Sequence, residues 1–128
     1  MLFESIHHIA IIGRNYNKTK EFYIEKLGFE IISEHHRVDK NDIIINVEKE
    51  NVVLEIFIKE DAPLRPPIPN PENTGLRHLA FKVKDVEKTL EEFDSLKIVH
   101  QGLRYDDFDG KKMAFFFDPD GLPLEIHE

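Results

Sequence analysis

Cysteine and tryptophan are both absent from this chain of 128 residues. The lack of cysteine excludes disulfide bonds, thiolate catalysis and metal sites built on cysteine sulfur. Any bound metal must therefore be held by His, Asp, Glu, main-chain oxygen or water. Long apolar runs are missing too, since none approaches the roughly 20 residues that span a bilayer. The N-terminal stretch MLFESIHHIAII has no basic residue ahead of its short apolar part, so it does not resemble a signal peptide. We expect a soluble, cytoplasmic protein.

Positively charged residues are outnumbered by negatively charged ones. The chain has 17 Lys and Arg against 25 Asp and Glu, a net charge of −8, and its basic residues form no single block. This balance argues against nucleic acid or a membrane surface as the main partner. A hydrophobic fraction of 41% is sufficient for a packed interior, and the length suits one domain or two small halves.

An internal repeat is present, with an offset of 70 residues. At that offset HIAI at 8–11 falls on HLAF at 78–81, and LEI at 54–56 falls on LEI at 124–126. His8 and Glu55 are 47 residues apart, as are His78 and Glu125. The sequence therefore predicts a duplication in which each half carries one His and one Glu at the same separation.

The repeat extends to the predicted secondary structure, which is βαβββ in each half. The first half has predicted strands at 5–13, 29–36, 42–48 and 52–58, and a helix that begins after Asn15 or Asn17 and ends before Gly28. The second half has predicted strands at 76–84, 97–105, 112–118 and 122–127, with a helix at 85–95 capped by Asp85. Residues 59–75 hold five of the seven prolines and are predicted to be a linker. We therefore predict an α+β fold, with module 1 at about 5–58 and module 2 at about 76–128 in a single domain.

The repeated His and Glu residues are predicted to share one face of their sheets. Alternate side chains of a strand point to the same face, so His8 and Glu55 lie opposite the apolar residues that cover the helix. The same holds for His78 and Glu125. A carboxylate in so apolar a strand requires a compensating partner, and a divalent metal ion would provide one. Duplication alone would also preserve the four residues without a function.

Two His and two Glu suit several metals. Imidazole favours zinc, copper, iron and nickel, while carboxylates extend the range to manganese and cobalt. Four protein ligands on a six-coordinate ion leave positions for water or substrate, which favours a catalytic over a structural site.

Five segments together resemble the vicinal-oxygen-chelate superfamily and, within it, the glyoxalase I (lactoylglutathione lyase) type. They are HHIAI at 7–11, EFYIEKLGFEI at 21–31, VVLEIF at 52–57, GLRHLAF at 75–81 and DPDGLPLEI at 118–126. The resemblance implies two βαβββ modules that form a curled mixed sheet around one divalent ion per site. Its metal positions fall on His8, Glu55, His78 and Glu125. Because short members resemble the nickel- or cobalt-preferring type, it implies nickel first, cobalt or zinc next and manganese as a further option. By analogy it also implies a homodimer.

The resemblance further implies a reaction. The hemithioacetal of methylglyoxal and a thiol, a 2-oxoaldehyde–thiol adduct, is isomerised to a thioester through an enediolate, which serves methylglyoxal detoxification. Glu125 is implied as the carboxylate that moves the proton, with Glu55 sharing that role. No redox cofactor is required.

The sequence departs from the glyoxalase I pattern at two positions that help to bind glutathione. Ile12 stands where that type has Arg, and Lys59 stands where it has Asn. The basic residues that precede the DPDG turn in that type are present here as Lys111 and Lys112. The resemblance therefore supports the metal and proton chemistry better than the binding of glutathione.

Arg37 and Arg104 lie at comparable places in the two halves. They are candidates to bind an anionic group of the substrate, and surface salt bridges are the alternative.

Two other functional classes remain open. One is another metalloenzyme of the superfamily, either an epimerase, which usually has Gln where this chain has Glu55, or a fosfomycin-type thiol transferase, which uses three protein ligands. The other is a non-catalytic small-molecule binding protein like the bleomycin-sequestering members, which lack the metal ligands.

Overall fold

The computed structural model describes residues 2–67 and 70–128, which form two compact units. The N-terminal unit ends at Pro63 and the C-terminal unit begins at Leu64. Each contains one four-stranded mixed sheet and one helical segment, so the predicted α+β fold with tandem βαβββ modules is confirmed. Among the helices of these two described stretches, none is long and apolar enough to cross a membrane. The predicted linker includes residues 68 and 69, which lie outside the described residues.

The N-terminal unit is built from four strands in the order β1-β4-β3-β2. Strand β1 pairs with β4 in parallel, and β3 is antiparallel to both β4 and β2. The strands are β1 (Ile9–Gly13), β2 (Glu30–Arg37), β3 (Asp42–Lys49) and β4 (Val52–Ile58). Helix α1 (Tyr16–Lys20) continues as a π-helical segment (Glu21–Lys26), and a short 3₁₀ turn (Val38–Lys40) precedes β3.

The helical segment has the termini that the sequence predicts. Asn15 is the N-cap, and its side chain accepts a hydrogen bond of 2.9 Å from the main-chain N–H of Lys18. At the other end the N–H of Leu27 donates to the carbonyl of Phe22, five residues back. Gly28 follows with φ of +79°, a left-handed conformation that favours glycine.

The C-terminal unit repeats this topology, with strands in the order β5-β8-β7-β6. Strand β5 is parallel to β8, and β7 is antiparallel to both β8 and β6. The elements are β5 (Leu79–Lys82), α2 (Val86–Ser95), β6 (Arg104–Tyr105), β7 (Lys112–Phe117) and β8 (Pro123–His127).

Three predicted strands are shorter in the structure by at least four residues. Strands β1 and β5 begin at Ile9 and Leu79 rather than at 5 and 76, and Ile6 and Leu76 in the preceding segments are exposed. The predicted strand 97–105 was largely wrong, since only Arg104–Tyr105 is strand. Lys97 and Gly102 have positive φ of 58° and 85°, and these left-handed residues interrupt the ladder. The intervening chain still contacts β7 through single main-chain hydrogen bonds.

Burial alternates along β1 and β4 as predicted, but not along β2 or β8. In β1 Ile11 is buried while Ile12 on the opposite face is 55% exposed, and in β4 Leu54, Ile56 and Ile58 are buried. The buried residues contributed by the helical segment include Phe22 and Tyr23 in the N-terminal unit, and Val86, Leu90 and Phe93 in the C-terminal unit. One face of each sheet therefore belongs to the core, and the other carries both polar and apolar side chains, including Glu55, Phe57 and Glu125. We call the latter the ligand face.

The helix N-caps provide a direct test of the local structure. Replacing Asn15 by Ala removes the acceptor for the Lys18 N–H, and the same change at Asp85 removes the acceptor for Lys88. Each should lower the free energy of unfolding by about 1 kcal/mol, measured by urea denaturation. Asn17→Ala is the matched control, because Asn17 lies inside α1 with its side chain exposed. An equal loss in that control would contradict the assignment of Asn15.

Candidate metal centre

The first His–Glu pair lies on the ligand face of the N-terminal sheet. The register aligns Ala10 of β1 with Glu55 of β4. His8 lies two residues before Ala10 and thus on the same face as Glu55. Nε2 of His8 is 4.0 Å from Oε1 of Glu55.

The second pair has the same arrangement in the C-terminal unit. Ala80 of β5 is aligned with Glu125 of β8, and His78 lies two residues before Ala80. Here Nε2 of His78 is 2.8 Å from Oε2 of Glu125. The equal separations in the sequence therefore correspond to equal positions in the two sheets.

The surroundings of the two carboxylates differ. The side chain of Glu55 is 29% exposed, and its cross-strand neighbour Asn46 donates a hydrogen bond to Ser33. The side chain of Glu125 is 8% exposed, and its cross-strand neighbour is Phe115. The Phe115 ring lies edge-on to His78, with ring centroids 5.2 Å apart. Glu125 thus lies in the drier and more apolar environment.

The donor set fits a divalent ion. Each unit presents an imidazole nitrogen and a carboxylate oxygen towards one another, and both are common metal-ligand atoms. A carboxylate as buried as that of Glu125 is costly without a positively charged partner, and an ion would supply the charge.

Asp106, Glu125 and His127 form another group of potential ligands, whose ligand atoms all lie within 4.8 Å of one another. His127 follows Glu125 by two residues in β8 and so shares its face. Its Nε2 is 3.6 Å from Asp106 and 3.3 Å from Asp109. Strand alternation already placed His127 beside Glu125, but no pattern in the sequence indicated that the loop after β6 brings Asp106 to them.

Local hydrogen bonds control the charges in this second group. The pKa of His127 is raised mainly because its Nδ1 bonds to the main-chain carbonyl of Glu128, with Asp109 and other nearby carboxylates adding to the rise. The pKa of Asp106 is lowered because the main-chain N–H groups of Asp109 and Phe108 donate to its carboxylate. Both effects favour an ion pair between His127 and its acidic neighbours.

Arg37 belongs to a cluster at one end of the N-terminal sheet. Its Nε and Nη2 donate to the two carboxylate oxygens of Asp42, both at 2.7 Å, and Nζ of Lys59 donates to Oδ2 at 2.8 Å. Both cations also lie over the ring of Phe57, 5.6 and 5.9 Å from its centroid. We call Arg37, Asp42 and Lys59 the Asp42 cluster. Of these three residues only Arg37 was predicted to bind substrate, because the contacts join the ends of three strands and no local sequence pattern specifies them.

The other predicted substrate-binding residues are dispersed within the C-terminal unit. Arg104 pairs with Met113 on the ligand face and lies over the ring of Phe115 at 5.5 Å. Lys111 is exposed in the loop before β7. Nζ of Lys112 is 2.9 Å from Glu87 of α2, so its side chain lies on the helix face, away from Glu125. A role for these three residues stays a prediction.

The tandem βαβββ units and their matched His–Glu pairs agree with the family to which the sequence is matched. The sequence model of the Glyoxalase/Bleomycin resistance protein/Dioxygenase superfamily matches residues 5–126. The chain belongs to this superfamily, whose members commonly bind a divalent metal and act on or bind small molecules.

Several full-length relatives are similar to this chain. It is 43% identical to the uncharacterized protein YwkD of Bacillus subtilis, covering 100% of this chain and 99% of that protein. It is 40% identical to the uncharacterized protein YaeR of Escherichia coli, covering 98% and 96%. A solved glyoxalase family protein from Enterococcus faecalis is 54% identical over 100% of both chains, with a TM-score of 0.92.

More distant structures share the fold alone. At 18–20% identity they include a glyoxalase I from Leishmania major, a fosfomycin resistance protein from Listeria monocytogenes and an antibiotic binding protein from Streptomyces. One fold thus serves lyases, resistance proteins and binding proteins. The activity must therefore be argued from the site.

The Asp42 cluster predicts a pH-dependent contribution to stability. Hydrogen bonds from Arg37 and Lys59 hold the pKa of Asp42 well below its ordinary value of 3.8. A lowered pKa means that the stabilisation is complete above that ordinary value and is lost as pH falls through the folded-state pKa. Asp42→Asn should therefore lower the urea midpoint at neutral pH, and the difference from the unmodified protein should shrink below about pH 4. A difference that is constant from pH 7 to pH 2 would contradict this account.

Proposed function

We propose that the protein is a metal-dependent lyase of the glyoxalase I type, which isomerises the hemithioacetal of methylglyoxal and a thiol to a thioester. One observation carries the proposal: His8 with Glu55, and His78 with Glu125, occupy equal registers on the ligand faces of two repeated sheets. Ligand pairs that remain equivalent while their surroundings diverge indicate that both pairs serve one function.

In this proposal His8, Glu55, His78 and Glu125 bind one divalent ion, with nickel first, cobalt or zinc next and manganese as a further option. The bound ion supplies Lewis acidity for a substrate with two adjacent oxygens. We favour these four over the group containing Asp106 and His127 because the position of His127 is occupied by Phe57 in the other unit, and Phe57 cannot bind a metal. A homodimer remains a prediction by analogy.

The proton transfer is assigned to Glu125. Its carboxylate would take the proton from the carbon that bears sulfur and return it to the adjacent carbon. The hydroxyl proton passes from the oxygen of the first carbon to the oxygen of the second, so no atom enters or leaves the substrate. The low exposure of Glu125 beside Phe115 favours this role, because excluding water prevents the loss of a transferred proton to solvent. Glu55 is more exposed and has a polar neighbour, so it is the better candidate to bind the metal without transferring the proton.

The metal proposal is tested by the stoichiometry of binding. Elemental analysis of the purified protein should find about one divalent ion per chain, and either His8→Ala or His78→Ala should remove most of it. His127→Phe is the matched control, since it copies the residue of the other unit and leaves all four proposed ligands intact. Two ions per chain would favour a separate site in each unit. Loss of the ion in the control alone would favour the group of Asp106, Glu125 and His127 as the metal site.

The proton-transfer role is tested by two matched substitutions that replace a carboxylate with a carboxamide. With metal content equalised, Glu125→Gln should lower kcat by about two to four orders of magnitude, and Glu55→Gln should lower it less. Turnover is followed as thioester formation from methylglyoxal with glutathione, cysteine or 2-mercaptoethanol. Equal losses would remove the distinction between the two carboxylates. If metal-loaded protein forms no product with any thiol, another metalloenzyme activity or a binding function becomes the better hypothesis.

A further inference from the structure

His7, which immediately precedes the proposed ligand His8, contacts it through its ring. The two Nδ1 atoms are 2.8 Å apart, and the rings meet edge to face with their centroids 5.1 Å apart. Within a strand, alternation would turn adjacent side chains to opposite faces. Both histidines lie before β1, which begins at Ile9, so their rings can meet. Two nitrogen atoms at this distance form a hydrogen bond, in which one carries the hydrogen and the other accepts it.

The other ring nitrogen of His8 is the one available to a metal. Its Nε2 is directed at Glu55 but lies 4.0 Å from Oε1, which is too long for a hydrogen bond. A neutral imidazole has one N–H, and only the nitrogen without hydrogen can bind a metal. Metal binding at Nε2 therefore requires the hydrogen of His8 on Nδ1, and Nδ1 of His7 must then be the acceptor. Because free histidine in water favours the hydrogen on Nε2, the form that binds metal benefits from a partner at Nδ1.

The corresponding position in the second unit holds a residue of different chemistry. At the 70-residue offset His7 corresponds to Arg77, whose Nε donates to a carboxylate oxygen at 2.6 Å. A guanidinium has no acceptor, so Arg77 cannot fix the tautomer of His78. The His78 side chain is 21% exposed and lies against Phe115, whereas that of His8 is 39% exposed. The more exposed ligand is thus the one that has an imidazole neighbour to hold its ring.

We propose that His7 is a positioning residue for the metal site. Its Nδ1 accepts a hydrogen bond from the Nδ1–H of His8, which leaves the lone pair of His8 Nε2 free for the metal. The inference rests on the proposed function, since it concerns one ligand of the same site. Metal-binding histidines in general donate their second ring N–H to a fixed acceptor, which sets the tautomer and the ring orientation. An exposed imidazole bonded to water lacks this constraint, because water donates as readily as it accepts.

The alternative is that His7 is an exposed polar residue without effect on the site, and three variants separate the two roles. His7→Phe keeps an aromatic ring and removes the acceptor. His7→Asn restores an acceptor, because the amide oxygen of Asn takes nearly the place of Nδ1. Arg77→Phe makes the same change beside the other histidine ligand, where the lost side chain bonds to Glu72 instead. Since His7 is exposed, its variants should keep the urea midpoint of the unmodified protein.

The first measurement is the affinity of the purified protein for cobalt(II), obtained by competition with a chromophoric chelator. Affinity should fall about tenfold or more in His7→Phe, and it should be largely recovered in His7→Asn. Arg77→Phe should keep the affinity of the unmodified protein. Unchanged affinity in His7→Phe, or an equal fall in either of the other two variants, would overturn the proposal.

The second measurement is NMR of the ¹⁵N-labelled protein, which detects the hydrogen bond itself. A scalar coupling between Nδ1 of His7 and Nδ1 of His8 is expected in the metal-free protein. After zinc is added, the coupling should persist and the hydrogen should be on Nδ1 of His8. No coupling in either preparation, or a hydrogen on Nε2 of His8 in the zinc-loaded protein, would contradict the assigned role.

Neither measurement involves turnover, so both are independent of the lyase assay. The expected results without thioester formation would retain the role of His7 and reject the lyase. Turnover with no coupling and no loss of affinity in His7→Phe would do the reverse. A protein that binds neither cobalt nor zinc would reject both.

Discussion

The parallel pairing of the first and last strands in each unit is the constraint on which the candidate site depends. It aligns Ala10 with Glu55 and Ala80 with Glu125, so each histidine, two residues earlier, shares a face with its carboxylate. A register slip of one residue in either strand would turn that partner toward the core. The buried alternation of Leu54, Ile56 and Ile58 opposes such a slip, because it would expose three apolar side chains to water. Packing of the apolar face therefore fixes the register that places the candidate ligands on the opposite face.

The sequence was informative where structure repeats with a period. Strand alternation and the 70-residue offset were enough to predict the fold and the faces occupied by His8 and Glu125, since both follow from local geometry. The same patterns did not predict the contacts that are made by strand ends and loops. The Asp42 cluster joins three strand ends, and Asp106 reaches His127 through a loop whose path no periodic pattern specifies. The length of strand β6 was overestimated because the strand is interrupted by positive φ at Lys97 and Gly102.

The two units show how duplicates diverge around a common backbone. The cross-strand neighbour of the carboxylate is Asn46 in one sheet and Phe115 in the other. Two residues beyond the carboxylate stand Phe57 with cations over its ring, and His127 with carboxylates beside it. The repeated pairs therefore sit in surroundings of opposite charge. Division of labour between two similar carboxylates can arise in this way without any change of topology.

The parallel pairing also has a consequence for the order in which the chain forms as it is synthesised. Strand β1 is made first, yet it finds its partner only when β4, some 45 residues later, has been made. Until then β1 is an unpaired apolar segment, and long-range closure of this kind is slow compared with the formation of a hairpin. All strand pairings of the N-terminal unit lie before Pro63. The first sheet can therefore be completed on the ribosome before the second begins, which limits mispairing between the repeats.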